Sequence, residues 1–204
     1  KKLIALSTAL ILIPIAFVAP AQAATKSCAP TQAIEEGPYY LADTPTRSDV
    51  TDGQAGKAIT LSFTVLDTSC KPIKNARVDI WYANADGVYS GVASRGDDLG
   101  AGANSGRFLR GTQFTNAKGV ATFKGIYPGW YPGRTMHIHF KVWQDGQEVL
   151  TSQWFASDAN NSKIYKTGVY AARGNQNTPL AADRIYNELS NPKANTLRIT
   201  FINS

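Results

Sequence analysis

Alternation of apolar and polar residues along the chain predicts a series of short β-strands. Apolar side chains occupy every second position over residues 59–65 and again over 76–82, and turn-forming residues separate the two runs. Successive side chains of a strand point to opposite faces, so each run is typical of a strand with one buried face. Shorter runs predict further strands at 107–114, 120–126, 137–142, 148–155 and 197–201.

Helical patterns are scarce. Thr178 and Pro179 are typical of a helix start, and they predict one short helix over 178–189. Residues 24–56 show no sustained period and predict an extended arm, while the glycine-rich run 86–106 predicts a long loop. Many short strands with turn signals and hardly any helix indicate a mainly β protein, an antiparallel sandwich or barrel, forming one domain over 24–204.

The strand that begins at His137 carries both histidines of the chain. Its alternation places Ile138 and Phe140 on the face toward the core, and His137, His139 and Lys141 on the other face. Two imidazoles spaced i, i+2 on one strand face can bind a single metal ion. An exposed polar strand face explains this pair equally well, so the pair alone is a weak signal.

The first 23 residues read as a secretory leader. Two lysines precede an apolar run, and Ala21-Gln22-Ala23 fits an Ala-x-Ala cleavage site. A membrane anchor is the alternative, but the run is short for a spanning helix. Removing this leader would lower the formal net charge from +6 to +4, and the basic residues are scattered, so nucleic-acid binding is not expected. We expect a secreted or periplasmic protein without a stable membrane anchor.

Two cysteines remain after the leader, Cys28 and Cys70. In an exported protein a disulfide between them is the first interpretation, because oxidising compartments preserve such bonds. Two free thiols or metal ligands are the alternative. Two histidines alone are too few ligands to hold iron, and the additional candidates nearby are the tyrosines Tyr89 and Tyr131. A tyrosine in a loop is nevertheless more often packed or exposed than bound to a metal.

Three segments, in this order, resemble the motifs of one protein family. They are Ile80-Trp81 through Gly87-x-Tyr89, then Tyr127-Pro128-Gly129-Trp130-Tyr131, and finally Arg134-x-x-His137-x-His139-Phe140. Together they resemble the intradiol ring-cleavage dioxygenases, the catechol and protocatechuate dioxygenase family, and most closely its secreted branch. The resemblance extends from Glu36-Gly37-Pro38-Tyr39 to about Phe155.

This resemblance implies a β-sandwich of the intradiol type with long loops and a short C-terminal helix. It also implies one non-haem Fe(III) per chain, held by Tyr89, Tyr131, His137 and His139. The expected reaction is cleavage of a catechol by O2 between its two hydroxylated carbons, giving a cis,cis-muconate-type diacid. The partners are then a small aromatic diol and O2, and the oligomeric state stays open.

The resemblance also suggests roles for residues around the iron. Tyr131 would take a proton from the catechol, Arg134 would supply a fixed positive charge, and Gln153 would lie near the substrate. The alternatives are a structural ion pair for Arg134 and an ordinary polar strand residue for Gln153. Arg110 and Gln113 are suggested as contacts behind the site.

Tyr127 is assigned to packing beside the site, and Tyr82 to the second strand. Two other functions compete with the dioxygenase. The first is a β-sandwich binding module with a degenerate metal site, which would dock carbohydrate or protein through exposed Trp81, Trp130 and Trp143. The second is a zinc or copper protein that uses only the histidine pair.

Overall fold

The computed structural model describes residues 28–92 and 106–192. These residues form the strands β1 (Ala58–Thr64), β2 (Arg77–Trp81), β3 (Arg110–Phe114), β4 (Val120–Ile126), β5 (His137–Gln144) and β6 (Gln147–Phe155). They also form the helices α1 (Asp158–Tyr165) and α2 (Arg184–Asn187), with short 3₁₀ turns at Gly168–Tyr170 and Leu180–Ala182.

The strands build two antiparallel sheets that enclose the main core. β1 pairs with β4, and the second sheet has the order β3-β2-β5-β6. Leu61 and Phe63 of β1 are buried while their sequence neighbours are exposed, as the alternation predicts. Phe63 packs against Phe140 and Trp154 of the other sheet, with ring centroids 5.3 and 4.1 Å away. The predicted antiparallel β-sandwich is confirmed.

The four-stranded sheet turns its other face toward a row of polar and aromatic side chains. Trp81 of β2 lies opposite Arg110 on β3 and His139 on β5, and His139 lies opposite Gln153 on β6. Directly paired residues of antiparallel strands point to the same side. These four side chains therefore share one face of the sheet, which we call the site face.

A segment before β1, residues 34–47, crosses the site face from one edge of the sheet to the other, and we call it the strap. At the β6 edge the Ile34 amide donates to the Thr151 carbonyl, and at the β3 edge the Arg47 amide donates to the Thr112 carbonyl, both at 3.1 Å. The predicted extended arm is thus confirmed over its described part. The strap is thus hydrogen-bonded to both edge strands of this sheet.

A disulfide joins Cys28 to Cys70, with Cα atoms 5.3 Å apart, which confirms the predicted pairing. Cys70 lies in the turn between β1 and β2, so the bond ties the start of the arm to the sandwich. The two cysteines are 42 positions apart in sequence, and a cross-link of this span stabilises a fold by about 4 kcal/mol in the chain-entropy model.

The helix predicted over 178–189 is wrong in its extent. The chain there forms a 3₁₀ turn and then the four-residue α2, whose N-cap is Asp183, not Thr178. Asp183 accepts a hydrogen bond from the Tyr186 amide at 2.9 Å. The sequence also gave no prediction of α1, which begins after the N-cap Ser157 and buries only a few side chains. Its largely polar sequence lacks the apolar period that marks a helix.

Several predicted features fall outside the described residues: the leader at 1–23, most of the glycine-rich loop and the strand at 197–201. Within 28–92 and 106–192, no helix combines the length and the apolar character needed to cross a bilayer.

Candidate metal centre

Strand β5 places the two histidines side by side on the site face. Ile138 and Phe140 point into the core, as predicted. His137 and His139 are also buried, with 4% and 1% of their surfaces exposed. The polar face of this strand is therefore enclosed, because the strap lies over it.

His137 is held in one orientation by its backbone neighbourhood. Its Nδ1 lies 2.7 Å from the Thr135 carbonyl oxygen. Because a carbonyl only accepts, Nδ1 carries the hydrogen and Nε2 keeps a free lone pair. The phenol oxygens of Tyr131 and Tyr89 lie 3.0 and 3.2 Å from that Nε2. The structure thus brings a histidine nitrogen and two phenol oxygens to one point.

His139 has no hydrogen-bond partner on either ring nitrogen among the described residues. Its ring stacks on Trp81, with centroids 4.9 Å apart and planes 12° from parallel. Buried polar atoms are normally satisfied, so a buried imidazole without partners indicates a group that awaits a ligand. A metal ion is such a ligand for a neutral imidazole.

Two loops that contact each other carry the tyrosines. Asn84 and Gly87 close a turn, in which the Gly87 amide donates to the Asn84 carbonyl at 2.9 Å, and Tyr89 follows. In the loop before Tyr131, the Gly129 amide also donates to Asn84 at 2.9 Å. A Cβ at Gly129 would come 2.2 Å from the Ala85 carbonyl oxygen. Only glycine lets these two loops approach closely enough to bring their tyrosines together.

Arg134 forms the side of the centre nearest β6. Its Nε donates to Asp183 at 2.9 Å, and its Nη2 donates to Gln153 at 2.7 Å. Its Nη1 lies 3.4 Å from His137 Nε2. Two buried partners therefore fix the guanidinium beside the convergence point. The structural ion pair and the position near the centre, treated as alternatives for Arg134, occur together.

Burial sets the protonation of these groups. It lowers the pKa of His137 and His139 well below the usual value, and the charge of Arg134 lowers both further. Burial raises the pKa of Tyr131 to about 12 and that of Tyr89 well above its usual value. Both imidazoles are thus neutral near pH 7, while the phenols need a bound cation to become phenolates.

The donor set fits a hard metal ion. Donor atoms about 2.1 Å from one metal and at right angles to each other lie about 3 Å apart, which matches the spacing around His137 Nε2. Within the described ranges, no group of three His, Cys, Asp or Glu side chains could hold a metal. A metal ion at this point would therefore depend on phenol oxygens, which suit ferric iron better than zinc.

Other predicted residues have mixed outcomes. Arg110 is buried and donates to the Ser90 carbonyl at 2.7 Å, one residue from Tyr89. Gln113 donates to the Thr112 carbonyl at 3.1 Å. Tyr127 packs in the main core and donates to Asn161 at 2.6 Å.

The description of Trp81 as an exposed docking residue is wrong, because its exposure is 0%. Tyr82 directly follows β2 and packs in the main core. The sequence did not predict that Trp81 stacks on His139, because this contact depends on the pairing of β2 with β5, which residues near Trp81 in sequence do not specify. It also missed Asp183, whose signal is an aspartate that precedes a short helix.

Comparisons with known proteins establish the family of the chain. A family model described as Dioxygenase matches residues 35–178. An intradiol ring-cleavage dioxygenase structure from Tetranychus urticae superposes with a TM-score of 0.77 at 30% identity, covering 85% of this chain and 87% of that one.

Catechol 1,2-dioxygenase of Acinetobacter baylyi is 29% identical over 68% of this chain and 49% of its own length. Hydroxyquinol 1,2-dioxygenase of Corynebacterium glutamicum is 33% identical over 61% and 46%. The chain thus spans about half the length of these curated relatives. Together, the family match and the structural similarity show that the chain belongs to the intradiol ring-cleavage dioxygenase family.

Proposed function

We propose that this chain is an exported non-haem ferric dioxygenase that cleaves a catechol between its two hydroxylated carbons. Both atoms of O2 enter the product, a cis,cis-muconate-type diacid. The observation that carries the proposal is the convergence of the Tyr89 and Tyr131 phenol oxygens on His137 Nε2, at 3.2 and 3.0 Å. Membership of a family that acts on aromatic diols with O2 supports it.

One ferric ion per chain would be held by Tyr89, Tyr131, His137 and His139. When bound, it supplies Lewis-acid chemistry that holds both oxygens of the diol and makes the electron-rich ring reactive toward O2. The neutral imidazoles offer lone pairs at neutral pH, and the two phenolates balance part of the ferric charge.

Tyr131 is the proposed proton acceptor for the substrate. Tyr89 is buried, whereas Tyr131 is only partly buried. The Tyr131 phenolate oxygen is therefore the one that an incoming diol hydroxyl can reach. Transfer of the hydroxyl proton to this oxygen leaves the diol anionic, which favours its attack by O2.

Arg134 is the proposed electrostatic group. Its guanidinium is pinned by Asp183 and Gln153, so its charge needs no rearrangement during the reaction. A fixed cation stabilises negative charge that builds up on the substrate in the transition state. Gln153 orients Arg134 and is itself held by the Glu35 carbonyl, to which its Nε2 donates at 3.0 Å.

The proposed export rests on the leader interpretation of residues 1–23. The Cys28–Cys70 disulfide supports it, because such bonds persist in oxidising compartments.

The binding-module alternative loses its docking surface. Trp81 is fully buried, and Trp143 donates its indole N–H to Asp79 at 3.1 Å. Trp130 donates to the Gly174 carbonyl at 3.1 Å and packs beneath Arg173. The three tryptophans are engaged within the molecule, which favours the enzyme.

The test is the visible absorption spectrum and iron content of the purified protein, before and after catechol is added under nitrogen. We expect one iron per chain and a tyrosinate-to-iron charge-transfer band that shifts when catechol binds. Admission of air should then produce the muconate-type acid. A protein that stays colourless after ferric reconstitution would overturn the proposal, and stoichiometric zinc or copper would favour the histidine-pair alternative.

A further inference from the structure

The strap contributes one aromatic ring to the candidate metal centre. Tyr39 stacks on Tyr89, with ring centroids 4.3 Å apart and planes 23° from parallel. It also meets Tyr131 edge to face, at 6.4 Å and 89°. One ring therefore limits the orientation of both phenols that point at His137.

Anchors on both sides of Tyr39 hold the strap on the sheet. Before it, the Glu36 carboxylate lies 2.5 Å from Lys141 Nζ, and Lys141 is only 5% exposed. After it, the Tyr40 hydroxyl donates to the fully buried Asp79 at 3.0 Å. Lys141 Nζ also lies 4.4 Å from the centre of the Tyr40 ring. Charge-assisted contacts of this kind are shorter and stronger than neutral ones.

Asp79 and Lys141 are paired residues of β2 and β5, and each lies two positions from a residue of the centre, Trp81 and His139 respectively. The anchors are thus built on the strands that carry the site. Because the anchors and the site residues lie on the same two strands, the anchors hold Tyr39 at a fixed position relative to the site.

From these contacts we infer that Tyr39 is a positioning residue: its stacked ring holds the Tyr89 phenol aimed at the metal centre, and the Glu36–Lys141 and Tyr40–Asp79 contacts hold Tyr39 in place. This inference rests on the proposed ferric site, because it concerns the geometry of one proposed ligand. Partners that orient metal ligands commonly change metal affinity or activity 10- to 100-fold when they are removed.

The experiment compares Tyr39→Phe with Tyr39→Leu in the full chain. Phenylalanine keeps the stacked ring, whereas leucine is apolar and smaller and has no ring face. We expect Tyr39→Phe to match the wild type in its charge-transfer band and ferric titration. Tyr39→Leu should shift the band and weaken ferric binding about tenfold. Near-UV circular dichroism of the metal-free proteins should show the same order, and thermal unfolding checks that each variant is folded.

The anchors supply a second, independent variant. Lys141 and Arg184 each pair with a strap glutamate, but Lys141 is buried whereas the Arg184 side chain is 69% exposed. Lys141→Gln should therefore reproduce part of the spectral shift, while Arg184→Gln serves as the matched control and should leave the spectrum unchanged.

The outcomes separate the two ideas. A wild-type protein without the band overturns the proposed function itself. A wild-type band that Tyr39→Leu and Lys141→Gln leave unchanged overturns only the positioning role. A band lost equally in Tyr39→Phe would assign the effect to the hydroxyl group, which also contradicts the inference. If Tyr39→Leu fails to fold, the spectra of Tyr39→Phe and Lys141→Gln still test the positioning role of Tyr39.

Discussion

The two faces of β5 are both buried, but different partners bury them. Ile138 and Phe140 face the other sheet and belong to the main hydrophobic core. His139 and Lys141 face the strap. Lys141 pairs with Glu36 of the strap and Glu148 of β6, and His139 has no hydrogen-bond partner among the described residues. The first face contributes stability through apolar burial. The second face contains an unsatisfied group, which stability alone does not explain and which ligand binding does.

This comparison predicts that changes on the site face remove function while changes on the core face remove stability. The largest functional effect is expected from Tyr131→Phe and Tyr89→Phe, because each removes a proposed ligand oxygen and almost no volume. Ring cleavage should fall by more than about 100-fold, beyond the usual range for residues behind the ligands. Steady-state assays and ferric titration measure this.

Tyr127→Phe is the matched control, since Tyr127 lies in the core and donates to Asn161. It should retain the charge-transfer band and lose about 1–3 kcal/mol of stability, because the buried Asn161 Oδ1 loses this donor. Unchanged activity in a Tyr89→Phe, Tyr131→Phe double variant would contradict the ligand assignment.

The largest stability effect is expected from Phe140→Ala. Phe140 is 3% exposed and packs against both Phe63 and Trp154, with ring centroids 5.3 and 5.2 Å away. Removing a buried phenyl ring leaves a cavity and costs about 3–5 kcal/mol. Urea denaturation of the metal-free protein checks this value. A loss below about 1 kcal/mol would mean that this face of β5 is not the main core.

A smaller effect on ferric binding is expected from alanine at Gly37, and alanine at Gly146 is the control for backbone strain alone. Gly37 has φ +73°, and a Cβ there would lie 3.3 Å from His139 Cε1, whereas Gly146 has φ +77° and no neighbour within 4 Å. Alanine at either position adds a left-handed strain of about 1–2 kcal/mol. Only Gly37→Ala should also weaken ferric binding, because only its methyl group meets His139. Equal ferric affinities for the two variants would show that the strap is not in contact with the site.

The sequence predicted those features that local rules control. Alternation predicted β1 and β5 and the face on which Phe140 lies, and the two cysteines that follow the predicted leader predicted the Cys28–Cys70 bond. It failed where tertiary contacts decide. The short polar α1 has no apolar period, so only its N-cap Ser157 marks it locally.

The candidate site shows the same division. The resemblance of three motifs to the intradiol family named Tyr89, Tyr131, His137 and His139 as the proposed ligand set. The buried Asp183 that fixes Arg134 lies 49 residues away from it in sequence, and no short-range pattern joins the two. The stacking of Trp81 on His139 follows from strand pairing, which the sequence does not specify.

The sequence by itself determined the strands, their apolar faces and the chemical types of the candidate ligands, because these follow from residues a few positions apart. Only the tertiary structure decided that the polar face of β5 is enclosed and that Tyr39 lies on Tyr89. Those contacts join residues about 50 to 100 positions apart. They form only when the strap packs across the paired strands.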